Sequence, residues 1–317
     1  MSFLIRSALS MLSPAGPRAR LMVFPYHRIV EAPDPLTPGS STAERFENHL
    51  RWLSQYCHPL PLSEAVRRLE SGSLPSRAVA LTFDDGYENN LSVAAPLLKK
   101  HGVPATLFLA IDALERGIMW NDIIIEAVRK ADGTLDARDC GLGSLDVTDE
   151  NRLDVSKQLI AKVQYLPIAD RMAAAEALYA TASSVPPARQ MLKPEQIPEL
   201  AEYGIEVGAH TVNHPILKTL NDAEARREIA DSRDWIESII GTRPTLFAYP
   251  NGKRDFDYDG REMEIVESLG FDAAVAANWG CAAPGTSLYE LPRFKPWEKD
   301  ERGFATRLCK TVARTYA

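Results

Sequence analysis

Two adjacent carboxylates end the apolar stretch Ala78-Val79-Ala80-Leu81-Thr82-Phe83-Asp84-Asp85-Gly86. A short apolar run that stops at a turn signal predicts a buried strand, and Gly86 permits a tight turn directly after it. Because α/β folds place their chemistry just beyond the carboxyl ends of strands, this stretch predicts a site as well as a strand. The alternative is an ordinary turn in which aspartate caps the following helix.

A second apolar run, far downstream, ends in the segment His210-Thr211-Val212-Asn213-His214-Pro215. Two histidines four residues apart can share a helix face, but a proline disfavours helical geometry at the residue before it. We therefore expect His210 and His214 in a turn after a strand. With one aspartate they offer three ligands to a divalent metal and leave the second aspartate free as a base. Either histidine taken alone is more often structural than a ligand.

Strand and helix patterns alternate on both sides of these segments, which favours a parallel sheet or a (β/α) barrel. Both segments follow predicted strands, where such folds keep their functional side chains. The predicted strands cover residues 21–27, 79–83, 103–110, 205–210, 245–249 and 271–277, and the predicted helices cover 43–56, 62–70, 92–101, 194–203, 222–240 and 262–269.

The stretch 111–193 interrupts this alternation. It holds two helical patterns, 122–130 and 154–183, joined by a loop rich in glycine and aspartate. We interpret residues 1–317 as a single domain and 111–193 as a helical insertion on the rim of the barrel. An insertion at that place is expected to shape the mouth of the site.

The composition suits a large globular protein that acts on a neutral molecule. The 317 residues are 45% apolar, enough for a sizeable core, and carry a net charge of −7. An acidic chain argues against non-specific binding to nucleic acid or to anionic membranes. The four cysteines are scattered without a Cys-x-x-Cys pair, which predicts packed thiols in a reducing compartment.

The first residues also bear on location. The segment Met1–Leu12 is mildly apolar, is interrupted by Arg6 and is followed by Pro14 and Gly16. We interpret it as a short amphipathic helix and not as a signal peptide. No apolar stretch is long enough to span a bilayer. A cytoplasmic location is therefore expected, with the periplasm as the alternative.

Two motifs, in this order, identify a family. Thr82-Phe83-Asp84-Asp85-Gly86 and His210-Thr211-x-x-His214 resemble the first two motifs of the polysaccharide deacetylases, the NodB-homology group also called carbohydrate esterase family 4. The resemblance implies a distorted (β/α) barrel of the NodB-homology type. It also implies a divalent metal and the removal of N-acetyl groups from amino sugars.

The same resemblance implies a role for each residue of these motifs. Asp85, His210 and His214 bind the metal, which is expected to be zinc, with cobalt or nickel as alternatives. Asp84 is the general base, and a metal beside it keeps its pKa low enough for it to accept a proton. The hydroxyl of Thr211 orients the histidine loop.

A third motif is present only in part. Phe247-Ala248-Tyr249-Pro250-Asn251-Gly252 resembles the family segment whose backbone N–H binds the oxyanion, and Asn251 is at the donor position. Many relatives have an arginine at the place of Ala248, where it pairs with the catalytic aspartate. Arg293 is the candidate to replace it here, with a purely structural arginine as the alternative.

The family's late histidine, which protonates the leaving amine in many relatives, is missing because no histidine follows His214. The candidate substitute is His27, at the end of the first predicted strand. This arrangement resembles the circularly permuted branch of the family, which includes exopolysaccharide deacetylases that make partially deacetylated poly-N-acetylglucosamine. Histidine titrates near neutrality and can hold the proton that the amine needs.

Other histidines and the tryptophans have simpler interpretations. The histidines outside the motifs are expected at the surface or at an interface. The tryptophans near the motifs are expected to pack in the core, with stacking on a sugar ring as the alternative. The histidines are His49, His58 and His101, and the tryptophans are Trp120, Trp279 and Trp297.

The expected function is thus metal-dependent N-deacetylation of an N-acetylated saccharide. Two alternatives stay open: hydrolysis of a small amide that is not a sugar, and carbohydrate binding without catalysis. An open groove favours the saccharide and a closed pocket favours the small amide, while binding without acetate release favours the pseudoenzyme.

Overall fold

A curled, all-parallel sheet forms the centre of the computed structural model, which describes residues 2–314. The strands are β1 (Met22–Tyr26), β2 (Ile29–Val30), β3 (Ser41–Thr42), β4 (His58–Pro59), β5 (Ala78–Phe83), β6 (Ala105–Leu109), β7 (Gly133–Asp136), β8 (Ser144–Val147), β9 (Ile205–Ala209), β10 (Leu246–Ala248) and β11 (Ala273–Val275). The main sheet has the order β1-β5-β6-β9-β10-β11, and β4 pairs with β5. The expected distorted barrel is confirmed, and each of the six predicted strands lies where the pattern placed it.

Helices cover the outside of this sheet. They are α1 (Ser2–Leu12), α2 (Ala43–Tyr56), α3 (Leu62–Glu70), α4 (Ala95–His101), α5 (Ile111–Arg116), α6 (Trp120–Lys130), α7 (Arg152–Val163), α8 (Ile168–Ala182), α9 (Asp222–Ile240), α10 (Gly260–Ser268) and α11 (Glu301–Ala313). The predicted amphipathic N-terminal helix corresponds to α1, while Met1 lies outside the described residues. Among the described helices, none has the length and apolar character needed to cross a membrane.

Two predicted helices have a different geometry. The predicted helix 92–101 starts with a π-helical turn, Asn90–Ala94, and α4 then begins at Ala95 with a proline in its first turn, where the missing N–H costs nothing. The predicted helix Pro194–Tyr203 is a 3₁₀ helix. Pro198 lies inside it and cannot donate the backbone hydrogen bond that an α-helix needs there.

The alternation of side chains along β5 explains why both faces of this strand are buried. All six of its residues are buried. Val79, Leu81 and Phe83 belong to the apolar cluster that includes the flanking helices, whereas Ala78 and Ala80 belong to a second cluster on the opposite face, which includes α3. A strand buried on both faces reads as a continuous apolar run, as this one does.

The barrel is closed by a segment that is not a strand. Leu291 exchanges backbone hydrogen bonds with Ala274 and Ala276 at β11, both at 2.9 Å. Three residues further on, the Phe294 N–H donates to the carbonyl of Val23 in β1 at 3.1 Å. The segment 291–294 therefore joins the two ends of the sheet and carries Arg293 into the barrel mouth.

The stretch 111–193 has its own apolar cluster, formed mainly by α6, α7 and α8. The single helix predicted over 154–183 is wrong: α7 ends at Val163 and α8 begins at Ile168, directly after Pro167. Proline disfavours helical geometry at the residue before it, which separates the two helices. The loop predicted before them contains the antiparallel hairpin β7–β8.

Candidate active site

Asp85, His210 and His214 meet at the carboxyl ends of β5 and β9. Their ligand atoms all lie within 4.8 Å of one another. Asp85 Oδ1 is 3.6 Å from Nε2 of each histidine. The structure thus brings together three side chains that come from two motifs more than a hundred residues apart.

The protonation pattern of these residues fits a divalent cation. His210 Nδ1 lies 2.7 Å from the carbonyl oxygen of Ala248, and because a carbonyl only accepts, Nδ1 is the protonated nitrogen. Burial lowers the pKa of His210, so the ring is neutral and its Nε2 lone pair faces Asp85. Asp85 Oδ1 is buried and has no hydrogen-bond partner. Lone pairs that face one another in a buried site need a cation between them, and one carboxylate with two imidazoles is a common zinc donor set.

Left-handed backbone conformations aim these side chains. The φ angles are 78° at Asp85, 68° at Thr211, 51° at His214 and 58° at Asn251. Such conformations cost about 1–3 kcal/mol each in residues other than glycine and concentrate at functional sites. The Thr211 hydroxyl stabilises the turn, because it donates to the His210 carbonyl at 2.5 Å and accepts from the His214 N–H at 3.0 Å.

The histidine loop is held from both sides by charged residues that the sequence did not point to. Glu228 of α9 accepts hydrogen bonds from the backbone N–H groups of Val212 and Asn213, at 3.1 and 2.8 Å. From the opposite side, Arg171 of α8 donates to the carbonyls of Asn213 at 2.5 Å and His214 at 3.1 Å. Both clamping side chains are buried. They fix the loop between the barrel and the insertion.

Asp84 forms a buried ion pair with Arg293. The guanidinium Nη1 is 2.7 Å from Asp84 Oδ1, and it also contacts the Thr82 hydroxyl at 3.2 Å. Burial raises the pKa of Asp84, but Arg293, followed by His210 and His27, outweighs it and holds that pKa well below its usual range. Arg293 therefore lies where the replacement arginine was expected, and Asp84 is ionised.

His27 stands on the other side of Asp84. Its Nε2 is 4.0 Å from Asp84 Oδ2, and 48% of its side chain is exposed. His27 lines the cavity, and partial burial there lowers its pKa; Asp84 opposes the shift, while Lys295 and Arg293 add to it. The imidazole is therefore neutral at pH 7.

Asn251 lines the same cavity. It lies between Pro250 and Gly252, and in the described part of the chain its N–H has no hydrogen-bond acceptor. A Cβ on Gly252 would come within 2.9 Å of the Ala277 backbone nitrogen, so only glycine permits this close approach. The turn thus leaves the Asn251 N–H without a protein acceptor at a residue that lines the cavity.

These groups line a cavity of about 330 Å³. One wall comes from the insertion: Trp120 and Asn121 of α6, with Ile160 of α7 and the following Gln164. The Trp120 side chain is buried as expected, but its indole Nε1 and the Asn121 Oδ1 have no partner. Sequence reasoning missed these two polar groups because nothing in the pattern shows which face of α6 meets the cavity.

A buried charge network joins the insertion to the barrel. Arg28, next to His27, forms an ion pair with Asp122 of α6, and the Tyr87 hydroxyl donates to the same carboxylate at 3.0 Å. The Arg28 guanidinium also lies 4.1 Å from the Tyr87 ring centroid. The network fixes the start of α6 beside the two aspartates.

Comparison with known proteins agrees with this geometry. Residues 71–274 match the family model "Polysaccharide deacetylase". YxkH of Bacillus subtilis is 23% identical over 279 residues, which cover 87% of this chain and 71% of that protein. The poly-beta-1,6-N-acetyl-D-glucosamine N-deacetylase of Staphylococcus epidermidis is 37% identical over 71 residues, 22% of this chain and 25% of that protein.

Solved structures with the same fold cover almost the whole chain. The Streptococcus pyogenes deacetylase PplD, in complex with acetate, matches with a TM-score of 0.62 and 20% identity over 93% of this chain and 99% of that one. IcaB from Ammonifex degensii matches with a TM-score of 0.60 and 19% identity over 94% and 98%. The expected resemblance to the circularly permuted branch is thus confirmed at the level of the fold.

Proposed function

The chain belongs to the polysaccharide deacetylase family, and from this premise we propose that it is a metal-dependent N-deacetylase that acts on an N-acetylated saccharide. The observation that carries the proposal is the buried, unpartnered Asp85 Oδ1 facing two imidazole nitrogens at 3.6 Å. Asp84, ionised beside Arg293, lies next to that group and lines the same cavity.

We assign the metal to Asp85, His210 and His214, with zinc as the proposed ion. A divalent cation held there supplies Lewis-acid chemistry, because it polarises an amide carbonyl and acidifies a water. Asp84 is ionised because its pKa is low, so it would accept a proton from the attacking water. The Asn251 N–H donates a hydrogen bond to the carbonyl oxygen as that oxygen gains negative charge, a contact typically worth about 10²–10³ in rate.

His27 completes the transfer of the proton. It is neutral at the start, so the proton that reaches the sugar nitrogen is the one that Asp84 has accepted. His27 Nε2 lies 4.0 Å from Asp84 Oδ2, which is longer than a hydrogen bond; such contacts commonly tighten when substrate binds, and the imidazole would then take over this proton and donate it to the departing amine. Water loses one proton and the nitrogen gains one, and both side chains return to their starting states.

The shape of the site supports a saccharide over a small amide. The cavity that holds the two aspartates shares His27, Asp85, Asn121 and Lys295 with a neighbouring cavity of about 450 Å³. A site that continues beyond the reacting group has room for the units on either side of an N-acetylated sugar. A closed pocket would have favoured the small amide.

An acetate-release screen tests the proposal. The zinc-loaded protein is assayed on N-acetylglucosamine oligomers and, in parallel, on simple acetamides. We expect acetate from the oligomers, and we expect Asp84→Asn to lose turnover while elemental analysis finds its metal content intact. Equal rates on simple acetamides would support the small-amide alternative. Saccharide binding without acetate release would support the pseudoenzyme.

A further inference from the structure

A groove continues from the catalytic cavity toward the segment 295–297. The outer cavity, which we call the outer groove, is lined by Tyr26, the loop 37–41, Arg45 and residues 295–297, among others. It shares His27 and Lys295 with the catalytic cavity, so the two spaces adjoin each other. A ligand held at Asp84 can therefore extend into the outer groove without leaving the protein surface.

Trp297 forms part of the wall of this groove, and 57% of it is exposed. The prediction that it packs in the core is wrong. Because aromatic rings dominate the energetics of burial, a large exposed indole beside a functional cavity indicates a binding surface. Single exposed apolar residues are common, however, so exposure alone does not identify a binding residue. The contacts that hold the Trp297 ring are the second observation.

The Trp297 ring is fixed in place by its neighbours. The Arg307 guanidinium lies 4.2 Å from the ring centroid, and its Nε donates to Glu298 Oε1 at 2.6 Å. The other carboxylate oxygen of Glu298 accepts from the Trp297 backbone N–H at 3.0 Å. The ring is thus supported from one side by a salt-bridged arginine, and it loses little freedom when a ligand stacks on it.

The segment that closes the barrel continues from the Asp84–Arg293 ion pair to Trp297. Arg293 contacts Asp84, Lys295 lines both cavities, and Pro296 and Trp297 line the outer groove. Phe294, between them, is buried against Phe24 with ring centroids 4.4 Å apart. The Lys295 ammonium has no hydrogen-bond acceptor among the described residues, which leaves it available to a ligand.

We infer that Trp297 is a stacking platform for a second pyranose unit of the same saccharide chain, with Lys295 donating to an oxygen at the boundary of the catalytic cavity. The apolar face of a pyranose matches an indole ring, and hydroxyl or acetamido oxygens match an ammonium. The inference rests on the proposed function and adds to it a specific residue, Trp297, that binds the unit next to the reacting one.

The test compares substrates of two lengths. We measure kcat/KM for acetate release from the dimer and the pentamer of N-acetylglucosamine, in both the β-1,4 and the β-1,6 linkage. We expect Trp297→Ala to lower the pentamer-to-dimer ratio of kcat/KM about fivefold to tenfold, the size of one aromatic stacking contact. Trp297→Phe should restore most of that ratio, because it keeps an aromatic face.

Trp279→Ala is the matched control. Trp279 is also exposed, at 41%, so the prediction that it packs in the core is wrong as well. Its ring is 5.6 Å from the same Arg307, but it does not line the groove. This variant should keep the wild-type length ratio. Binding of the pentamer to the metal-free protein, measured by calorimetry, should weaken by the same factor in Trp297→Ala and not in Trp279→Ala.

The outcomes separate the two claims. Acetate release with an equal effect of Trp297→Ala on dimer and pentamer overturns the platform alone. The same holds if Trp279→Ala changes the length ratio as much as Trp297→Ala does. If the wild type releases no acetate from any of these saccharides, the proposed function is overturned. The calorimetric comparison then decides the platform by itself: equal pentamer affinity in wild type and Trp297→Ala overturns it.

Discussion

Asp84 and Asp85 are neighbours in the chain, yet their surroundings shift their pKa values in opposite directions. Burial raises the pKa of Asp85, and the carboxylates of Asp84 and Asp122 raise it further. Arg293 instead holds Asp84 in its ionised form. Two neighbouring carboxyl groups whose environments shift their pKa values apart commonly have different catalytic roles. Here one is a ready base, and the other is a carboxylate that needs a cation beside it.

We predict that Arg293 affects catalysis because it keeps Asp84 ionised. Removing the guanidinium leaves the buried carboxylate unpaired and favours its protonated form, which cannot act as a base. We expect Arg293→Ala to lower kcat by roughly 10²-fold, the lower end of what a general base contributes. Acetate-release kinetics measure this, and elemental analysis should find the metal content unchanged. Arg293→Lys, which keeps a charge, should lose less; wild-type kinetics in Arg293→Ala would show that the residue is only structural.

His49 makes a separate prediction about stability and pH. It was expected at the surface or at an interface, but it is fully buried, with Nδ1 3.0 Å from the Tyr26 hydroxyl and Nε2 2.8 Å from the carbonyl of Glu298. Burial lowers the pKa of His49, against the opposing effect of Glu298. The unfolded chain therefore binds the proton first, so His49 makes the folded state lose stability as the pH falls below about 6.5.

The variant His49→Gln removes this titration and keeps an acceptor and a donor. We expect the midpoint of thermal unfolding to fall more in the wild type than in His49→Gln when the pH is lowered from 7.5 to 5.5. Circular dichroism of both proteins in the same chelating buffer measures the difference. Equal decreases in the two proteins would mean that His49 does not contribute to the acid sensitivity.

At the scale of elements, the loops after β5, β9 and β10 position the side chains of the candidate site. Each holds at least one residue with positive φ, and each ends beside the same cavity. The histidine loop is additionally held between α9, through Glu228, and α8, through Arg171. The stretch 111–193 therefore shapes the cavity and also supports the loop that carries two of the three residues proposed to bind the metal.

The contribution of α8 can be measured. Arg171→Met keeps a long side chain but removes the two hydrogen bonds to the carbonyls of the histidine loop. We expect metal affinity to fall about 10- to 100-fold, as is usual when groups that orient ligands are lost. Competition with a fluorescent chelator measures the affinity. The control is Arg116→Met. It removes a surface ion pair between Arg116 of α5 and Glu176 of α8, and it should leave metal affinity unaltered.

If Arg171→Met and the wild type bind metal equally, the histidine loop does not depend on the insertion. Circular dichroism accompanies the measurement, because Arg171 is buried. A loss of secondary structure in the variant would mean that its main role is in folding.

For the whole molecule, removal of the metal is expected to lower stability. A ligand that binds only the folded state stabilises it by roughly 2.7 kcal/mol at a hundred times its Kd. For a chain of this size, that corresponds to a decrease of about 5 °C or more in the unfolding midpoint after chelation. Thermal unfolding with and without chelator measures the shift. His214→Ala, which lacks one ligand, should show little response to chelator.

An identical response of the wild type and His214→Ala would contradict the three-ligand site. The same conclusion would follow if the wild type, purified with added zinc, contained no stoichiometric metal. Both measurements are independent of any saccharide, so they test the site apart from the substrate.

The main architecture follows from local patterns along the chain. Alternation of apolar runs with helical periodicity predicted six strands and most helices, because these patterns depend on neighbours a few residues apart. Where the geometry differed, a proline was responsible: Pro167 separates α7 from α8, and Pro198 turns an α-helix into a 3₁₀ helix. The hairpin β7–β8 was missed because each of its strands buries only one residue, so neither has an apolar run.

For the candidate site too, the sequence predicts one part and the tertiary structure decides the other. The motifs with Asp84, Asp85, His210 and His214 were evident from the sequence by itself, since side chains that follow parallel strands must emerge at one end of a barrel. Only the tertiary structure decided that Arg293 reaches Asp84, that Arg171 holds the histidine loop and that Trp297 stands at the edge of the groove. These contacts join residues far apart in the chain, and their partners are set by how the closing segment and the insertion dock on the barrel, which no local pattern encodes.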